Sequence, residues 1–416
     1  MAQEIYHRSE WGNPNEQWGN VYLNADLTNE LYKRASEYEN SWVTDQLLNG
    51  VGTKPSIILT PTAYEDGVLN SVKPSNGDGD FSFSRGTSAT RVNEQGLVEN
   101  VTNIPRIDYV NDEGSILLEP QRTNVSTYSE DFSQWSAING AVVTDNFTTS
   151  PDGTQNAAKI VYDGTSLGRI EISTSATGTN TQSIYLKTAS GTQNVSIGAL
   201  SSDLTEVTVT DEWQRFTHTG LGNTPRVLCN DASTIYVWGG QLESGSYATS
   251  YIPTTSDPVT RLKDVCLNSG NSDLINSTEG VLYAEISALA NDSTFRYISL
   301  NNGSNTNVAT IFFSSGAANV IRAIIISGGV TYVDIQYTVS DFTEFNKVAL
   351  KYKANDFSLW INGVERATDT SGSTPVGLDS FDLGLFVGGN FEGNVKCLAV
   401  FKEALSDTEL EHLTTI

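Results

Sequence analysis

The sequence predicts an all-β protein: tandem antiparallel β-sandwiches behind a short N-terminal helical segment. Three observations carry this reading. Charged residues make up only 18% of the 416 residues, below the roughly 25% usual in soluble domains. Thr, Val, Tyr and Gly are abundant, which suits strands joined by turns, whereas a single Met and little Ala argue against a helical protein. Strand-like alternation recurs beside turn chemistry, as in Phe81-Ser82-Phe83-Ser84 directly after Asp78-Gly79-Asp80, where every second residue would face a core. A chain of this length is expected to divide into about two to four domains.

Residues 1–50 form an N-terminal attachment segment in this reading. Tyr6, Trp11, Trp18 and Tyr22 lie among Gly, Asn and Pro without a clear period. Such a stretch is too apolar for a free tail and too short to bury its own rings. Trp11, Trp18 and Tyr22 are therefore candidates for docking on another protein, the alternative being an arm that packs back on its own chain. Leu27, Leu31, Ala35, Tyr38 and Trp42 follow at helical spacing, and Asn49-Gly50 gives a C-terminal stop.

Residues 51–125 read as a small β-rich module, with turns at 73–80 and a short buried run at Ile116-Leu117-Leu118. Asn76, Asp78 and Asp80 are spaced like the start of a calcium loop, but Phe81 stands where that loop needs Gly, so the segment reads as a turn. Residues 126–255 carry strand signals at 158–161, 183–187, 212–216 and 235–243. Residues 256–278 are polar, contain Pro258 and Gly270, and read as a linker. Residues 279–416 show strands at 279–286 and 348–352, then a hairpin of 357–365 turning at Asn362-Gly363. Ser406 and Glu409 form a capping box for a last helical turn.

Composition excludes several classes. A formal net charge of −25 argues against nucleic acid, whose phosphates need Lys and Arg, and against anionic lipid. No stretch approaches the ~18 apolar residues that span a membrane, and Met1-Ala2-Gln3-Glu4 opens no signal peptide. Cys229, Cys266 and Cys397 are three and far apart. They read as small buried residues of a protein made in a reducing cytoplasm, not as a disulfide framework.

Three long words add a family resemblance. Phe81 to Asn93 reads Phe-Ser-Phe-Ser-Arg-Gly-Thr-Ser-Ala-Thr-Arg-Val-Asn, Pro105 to Tyr109 reads Pro-Arg-Ile-Asp-Tyr, and Leu117 to Asn124 reads Leu-Leu-Glu-Pro-Gln-Arg-Thr-Asn. Together, over about residues 55–135, they resemble a module of bacteriophage structural proteins that precedes carbohydrate-binding domains in tail fibres. Residues 126–255, opening at Tyr128 to Trp135 and closing at Ile235 to Glu243 and Ala248 to Thr254, resemble a jelly-roll carbohydrate-binding module. Residues 279–416 resemble a laminin-G or concanavalin-A-like sandwich. The resemblance implies a virion protein, assembled in the host cytoplasm. It implies a homo-oligomer, a trimer by analogy with fibres, that attaches to other tail or capsid proteins through its N-terminus and meets host surface polysaccharide with its C-terminal sandwiches.

Catalysis finds little support. His7, His218 and His412 fall in no metal-ligand or nucleophile spacing, and residues 279–416 lack the closely spaced carboxylates of a sandwich glycosidase. Glycan binding has a clear logic: aromatic rings stack on the apolar face of a sugar while polar side chains meet its hydroxyls. In the strand at 235–238, alternation puts Ile235 and Val237 on a core face and Tyr236 and Trp238 on the other. Tyr236, Trp238 and Trp213 are therefore candidate platform rings, with Trp135 and Tyr185 as further aromatic residues of the same domain. The alternative is that Tyr236 and Trp238 pack in another layer. Trp360 reads as core.

No cofactor is required. The jelly-roll resemblance suggests a structural Ca²⁺, for which Glu130, Asp131 and Glu243 are candidate ligands, ordinary surface acids being the alternative. In the last domain Asp292, Asn301 and Asn390 are further oxygen donors that no spacing selects. Three functions remain open: a receptor-binding tail fibre, a purely structural head fibre or tail adaptor, and a polysaccharide depolymerase. Ligand binding separates the first from the second, and release of reducing ends identifies the third.

Overall fold

The computed structural model describes residues 51–110, 114–385 and 389–416, together with the backbone strands Gln3–Ile5 and Val21–Leu23, which pair with each other. Tyr22 sits on the second of these. Trp11, Trp18 and the helix expected over 27–48 lie outside the described residues. The described part is almost wholly β, in tandem antiparallel sandwiches, with a short C-terminal helix at Asp407–Thr414.

The C-terminal sandwich opposes a sheet of eight strands to one of five. In the large sheet Glu279–Ala288 lies between Asn346–Lys353 and Gly393–Phe401. The hairpin Phe357–Ile361 and Val364–Asp369 continues one edge. Its turn uses Asn362 and Gly363 at φ 52° and 77°, the left-handed pair that a two-residue hairpin loop requires. The five-stranded sheet runs Val330–Thr338, Val320–Ser327, Val308–Phe313, Arg296–Asn301 and Ser380–Asp382. The outer face of the large sheet buries Tyr283, Trp360 and Phe401 under Leu410 and Leu413 of the helix. Ser406 and Glu409 cap that helix reciprocally, and Glu409 Oε1 also accepts from Gly52 N at 2.9 Å.

Segments far away in sequence complete the large sheet. Strand Gly393–Phe401 pairs with Ser115–Leu118 near its start and with Ile57–Leu59 near its end, and Arg106–Asp108 extends the edge. Ile57, Leu59, Ile107, Ile116 and Leu118 thus belong to the same core as Leu282, Leu350 and Leu398. The stretch 51–125 is built into the C-terminal sandwich. The stretch 256–278, expected as a linker, supplies strands: Val259–Arg261 pairs with Arg122–Asn124, and Val265–Leu267 pairs with Phe81–Ser84. Part of its polar composition faces inward, where Arg261 and Asp264 make buried ion pairs, while Cys266 and Ile275 pack in the apolar core.

Between these halves the chain forms the second sandwich, two five-stranded sheets. One runs Ser136–Ile138, Gly168–Glu171, Arg226–Cys229, Gln193–Leu200, Asp203–Val209. The other runs Val142–Thr148, Ala157–Asp163, Ala232–Ser244, Thr179–Thr188, Gln214–Leu221. Ile160, Ile184, Leu186, Ile235 and Val237 of the second meet Ile170, Val195, Ile197 and Val227 of the first. Cys229, Cys266 and Cys397 are free thiols and all buried. Asn76 to Asp80 is a turn, in which Asn76 Oδ1 accepts from Asp78 N at 3.1 Å.

Candidate functional site

The three long words converge on one buried ionic network. Arg85, Arg106, Glu119 and Asp264 come together with Arg261, all essentially without solvent exposure. Arg106 donates to Glu119 Oε2 at 2.6 Å and to Asp264. Arg85 donates to Asp264 Oδ1 at 2.8 Å, and Arg261 Nη1 lies 2.8 Å from Glu119 Oε2. Ser250, from the end of the jelly roll, donates its N and Oγ to Glu119, each at 2.7 Å. Burial would push the Glu119 carboxyl up, but Arg261, Arg106 and the Ser250 bonds hold it down at about 2. The words therefore tie 81–124 to 250–264 where both sandwiches meet. Buried charge is tolerated only when paired and hydrogen-bonded, and nearly every polar atom of this network is.

The outer face of the jelly roll's second sheet holds the aromatic candidates. Tyr236 pairs across the sheet with Lys159 on one side and Lys187 on the other, so all three side chains share that face. Phe147 stacks on Tyr236 with centroids 5.9 Å apart and planes 16° from parallel. Lys159 Nζ lies 3.9 Å from the Phe147 centroid, a cation–π contact. Phe147 remains 43% exposed, and Val142 and Val161, which pair with each other on the same face, are 59% and 37% exposed. The result is an open aromatic and aliphatic surface flanked by two lysines.

The other end of that face is covered. Trp238 is 1% exposed, packed with Val98, Ala157 and Tyr251, and edge-on to Tyr185. It cannot stack on a sugar and is a packing ring, because the hairpin Ser88–Val92 and Val98–Thr102 brings Val98 down on it. Trp213 is half-buried beside the same cluster and donates Nε1 to Thr149 O at 3.0 Å. Trp135 is core, tilted against Phe132 at 5.0 Å. Of the expected platform, only Tyr236 faces the open end; Trp213 lies beside the covered one. Sequence reasoning missed Phe147, which lies within a register irregularity between Thr144 and Thr148 that breaks simple alternation.

The expected calcium ligands do not come together. Glu243 is buried, and its carboxylate accepts from Gln241 Nε2 at 2.6 Å, Thr249 N at 2.8 Å and Thr249 Oγ1 at 2.6 Å. Glu130 accepts instead from Tyr251 Oη at 2.9 Å and Asn156 Nδ2 at 3.1 Å, and burial pushes its carboxyl up. Asp131 is exposed and accepts from Ser133 Oγ at 2.6 Å. Among the described residues no group of three or more His, Cys, Asp or Glu side chains could hold a metal. Asp292, Asn301 and Asn390 go to three different partners: Arg296, Asp382 and the Asp264 carbonyl.

No protein-family model matches the chain, and no curated protein is similar to it in sequence. Several solved β-sandwiches are similar in form. The Ruminococcus gnavus IT-sialidase CBM40 bound to α2,3-sialyllactose is 19% identical, over 36% of this chain and 94% of that one, with a TM-score of 0.30. Domain 4 of AbnA, an extracellular GH43 arabinanase from Geobacillus stearothermophilus, in complex with arabinotriose, is 14% identical over 41% and 84%, with a TM-score of 0.30. The botulinum neurotoxin type G receptor binding domain is 14% identical over 36% and 41%, with a TM-score of 0.27.

Proposed function

We propose that this chain is a non-enzymatic receptor-binding protein of the tail-fibre type, which recognises host surface glycan with the outer face of its jelly roll. The observation that carries the glycan reading is the open surface of Phe147, Tyr236, Lys159 and Lys187. Exposed aromatic rings offer a flat apolar partner to a pyranose, and the lysines on either side offer hydrogen-bond donors to its oxygens. A contiguous exposed apolar patch rimmed by polar groups is the usual mark of a binding surface. The virion assignment rests on the three words, whose resemblance to phage fibre modules implies a homotrimer anchored by Trp11, Trp18 and Tyr22. Identical chains would then present several weak sites at once, so that avidity supplies what one site lacks.

The test is binding of the full chain to host cells and to extracted surface polysaccharide, comparing wild type with Phe147→Ala plus Tyr236→Ala. The double variant should keep its fold, since neither ring belongs to a buried core, and should lose saturable binding by about tenfold or more. Reducing ends should not accumulate. Unchanged binding in a folded double variant would remove the face from consideration, and steady release of reducing ends would replace the reading with a depolymerase.

A further inference from the structure

The open surface of the jelly roll carries a charge pattern that stacking alone does not use. The row Thr144, Lys159, Tyr236 and Lys187 crosses it, beside the pair Val142 and Val161. Residues directly opposite one another on paired strands point to the same side. Neither the row nor the pair contains an acid, in a chain whose Asp and Glu outnumber its Lys and Arg by 49 to 24. Lys159 and Lys187 make no ion pair among the described residues, whereas Lys351 and Lys353 are paired with Asp356 and Glu279. Asp163 lies two residues beyond Val161 on the same strand, and its carboxylate is held by Thr165, whose N and Oγ1 both donate to it at 2.9 Å.

The two lysines stand on the strands either side of Tyr236, so their backbones are about 10 Å apart, and both are half-buried. A lysine lays its stem along apolar surface and keeps its ammonium in water, so two stems of this length bring both charges within reach of one group lying on the Tyr236 ring. The Lys159 ammonium already rests beside the ring stack, 3.9 Å from the Phe147 centroid. Arg215 faces Tyr185 from the next strand and adds a third positive charge to the face, toward its covered end.

We propose that this face selects an acidic glycan: a pyranose that meets the rings of Phe147 and Tyr236 and carries an anionic group held between Lys159 and Lys187. The proposal rests on the glycan reading above and names the charge class of its ligand. Neutral hydroxyls are met as well by Asn, Gln or Ser as by Lys, so unpaired ammoniums add something only an anion uses. Each lysine gains from an anion the counter-charge that the chain withholds, whereas a sugar hydroxyl only replaces the water it displaces. The net charge of −25 repels an acidic polymer at long range. At physiological salt that field is screened beyond about 8 Å, and contact is governed by the side chains of the face.

The experiment measures binding of the full chain by biolayer interferometry to immobilised trigalacturonate and hyaluronan hexasaccharide, to the methyl esters of both, which keep the rings and lose the charge, and to a sulfate-rich heparin hexasaccharide. Wild type should bind at least one acidic probe about tenfold or more tighter than either ester, by a margin that shrinks as NaCl rises from about 50 to about 500 mM. Uronate binding makes the anion a carboxylate and binding of heparin alone makes it a sulfate; either supports the proposal. Lys159→Gln and Lys187→Gln should each weaken acid binding about threefold to fivefold and leave any ester binding unchanged, whereas Phe147→Ala should weaken acids and esters alike. Both lysines lie on the open face, so their variants should melt with the wild type, which separates lost binding from lost fold. Esters bound as tightly as acids, or acid binding untouched by both lysine changes, would overturn the charge class and leave the glycan face standing. No binding of any probe by the folded chain would overturn the glycan reading with it.

Discussion

Replacing Glu119 by Gln probes the ionic joint with little change of shape. Gln keeps one oxygen to accept from Ser250 N, but in place of the charged oxygen that Arg106 and Arg261 meet it puts a neutral NH2 donor. In the folded chain burial opposes ionisation, but the two guanidiniums outweigh it and hold the carboxyl at about 2, against 4.5 ordinarily. The folded value is depressed, so the stabilisation is fully present above 4.5 and is lost as pH falls through 2. The difference is worth about 3 kcal/mol at neutral pH and about 1 kcal/mol near pH 3. Urea unfolding followed by tryptophan fluorescence should therefore show a Glu119→Gln penalty of that size at pH 7, shrinking by more than half at pH 3. A penalty that is the same at both pH values, or below about 1 kcal/mol at pH 7, would mean that the network contributes packing and not charge pairing.

Asp108 should behave in the opposite sense. Burial, against a hydrogen bond from Val92 N and the charge of Arg106, pushes its carboxyl up to about 6 from 3.8. The wild type then loses stability as pH rises from 3.8, and the loss is complete above 6, by up to about 3 kcal/mol. Asp108→Asn escapes this, so its melting temperature should gain on wild type between pH 4 and 7; a constant gap would refute the assignment. Excess EDTA should leave the melting temperature unchanged, because Gln241 and Thr249 already fill the Glu243 carboxylate. A fall restored by added Ca²⁺ would show a metal site. Residues 126–416 produced without the preceding segment should fail to fold cooperatively, whereas residues 51–416 should give one folded species by circular dichroism. The shorter chain loses three strands of the large sheet and leaves Asp264 and Arg261 without Arg85, Arg106 and Glu119, each broken buried pair costing about 3–5 kcal/mol.

The local elements were legible because local chemistry decides them. Phe81 and Phe83 are buried while Ser82 and Ser84 are exposed, as alternation requires. The turn at Asn362-Gly363 and the cap at Ser406 follow from residue type alone. The faces of the strand at 235–238 were also readable: Ile235 and Val237 enter the jelly-roll core and Tyr236 and Trp238 do not. What sequence could not supply was the cover on Trp238, because Val98 lies 140 positions earlier in a different element. Phe147 was hidden for a related reason, since a register irregularity moves it out of the pattern that periodicity detects. The words containing Arg85, Arg106 and Glu119 stood out as a family mark, yet their partner Asp264 sits in a stretch whose polar composition reads as a loop. A buried ion pair and an exposed linker look alike in composition; only the third dimension separates them.

That pairing explains the order of the chain. The strands at 57–59, 106–108 and 115–118 enter the large sheet first, the chain then leaves to build the whole jelly roll, and it returns at 259–267 before completing the same sheet with 279–401. The jelly roll is thus an insertion into one sandwich, entering and leaving through adjacent strands, Arg122–Asn124 and Val259–Arg261. Asn124, fully buried, donates to Gly240 O and Ile252 O and accepts from Leu242 N, so the entry strand is bonded to the far end of the domain it opens. An apolar contact at such a joint would tolerate sliding, whereas hydrogen bonds and ion pairs are directional and are costly to leave unmade. The joint therefore fixes which way the Phe147 face points relative to the C-terminal sandwich. For the proposed receptor-binding role, in which several chains would engage one surface, that fixed relation matters because avidity fails when geometry forbids simultaneous contact.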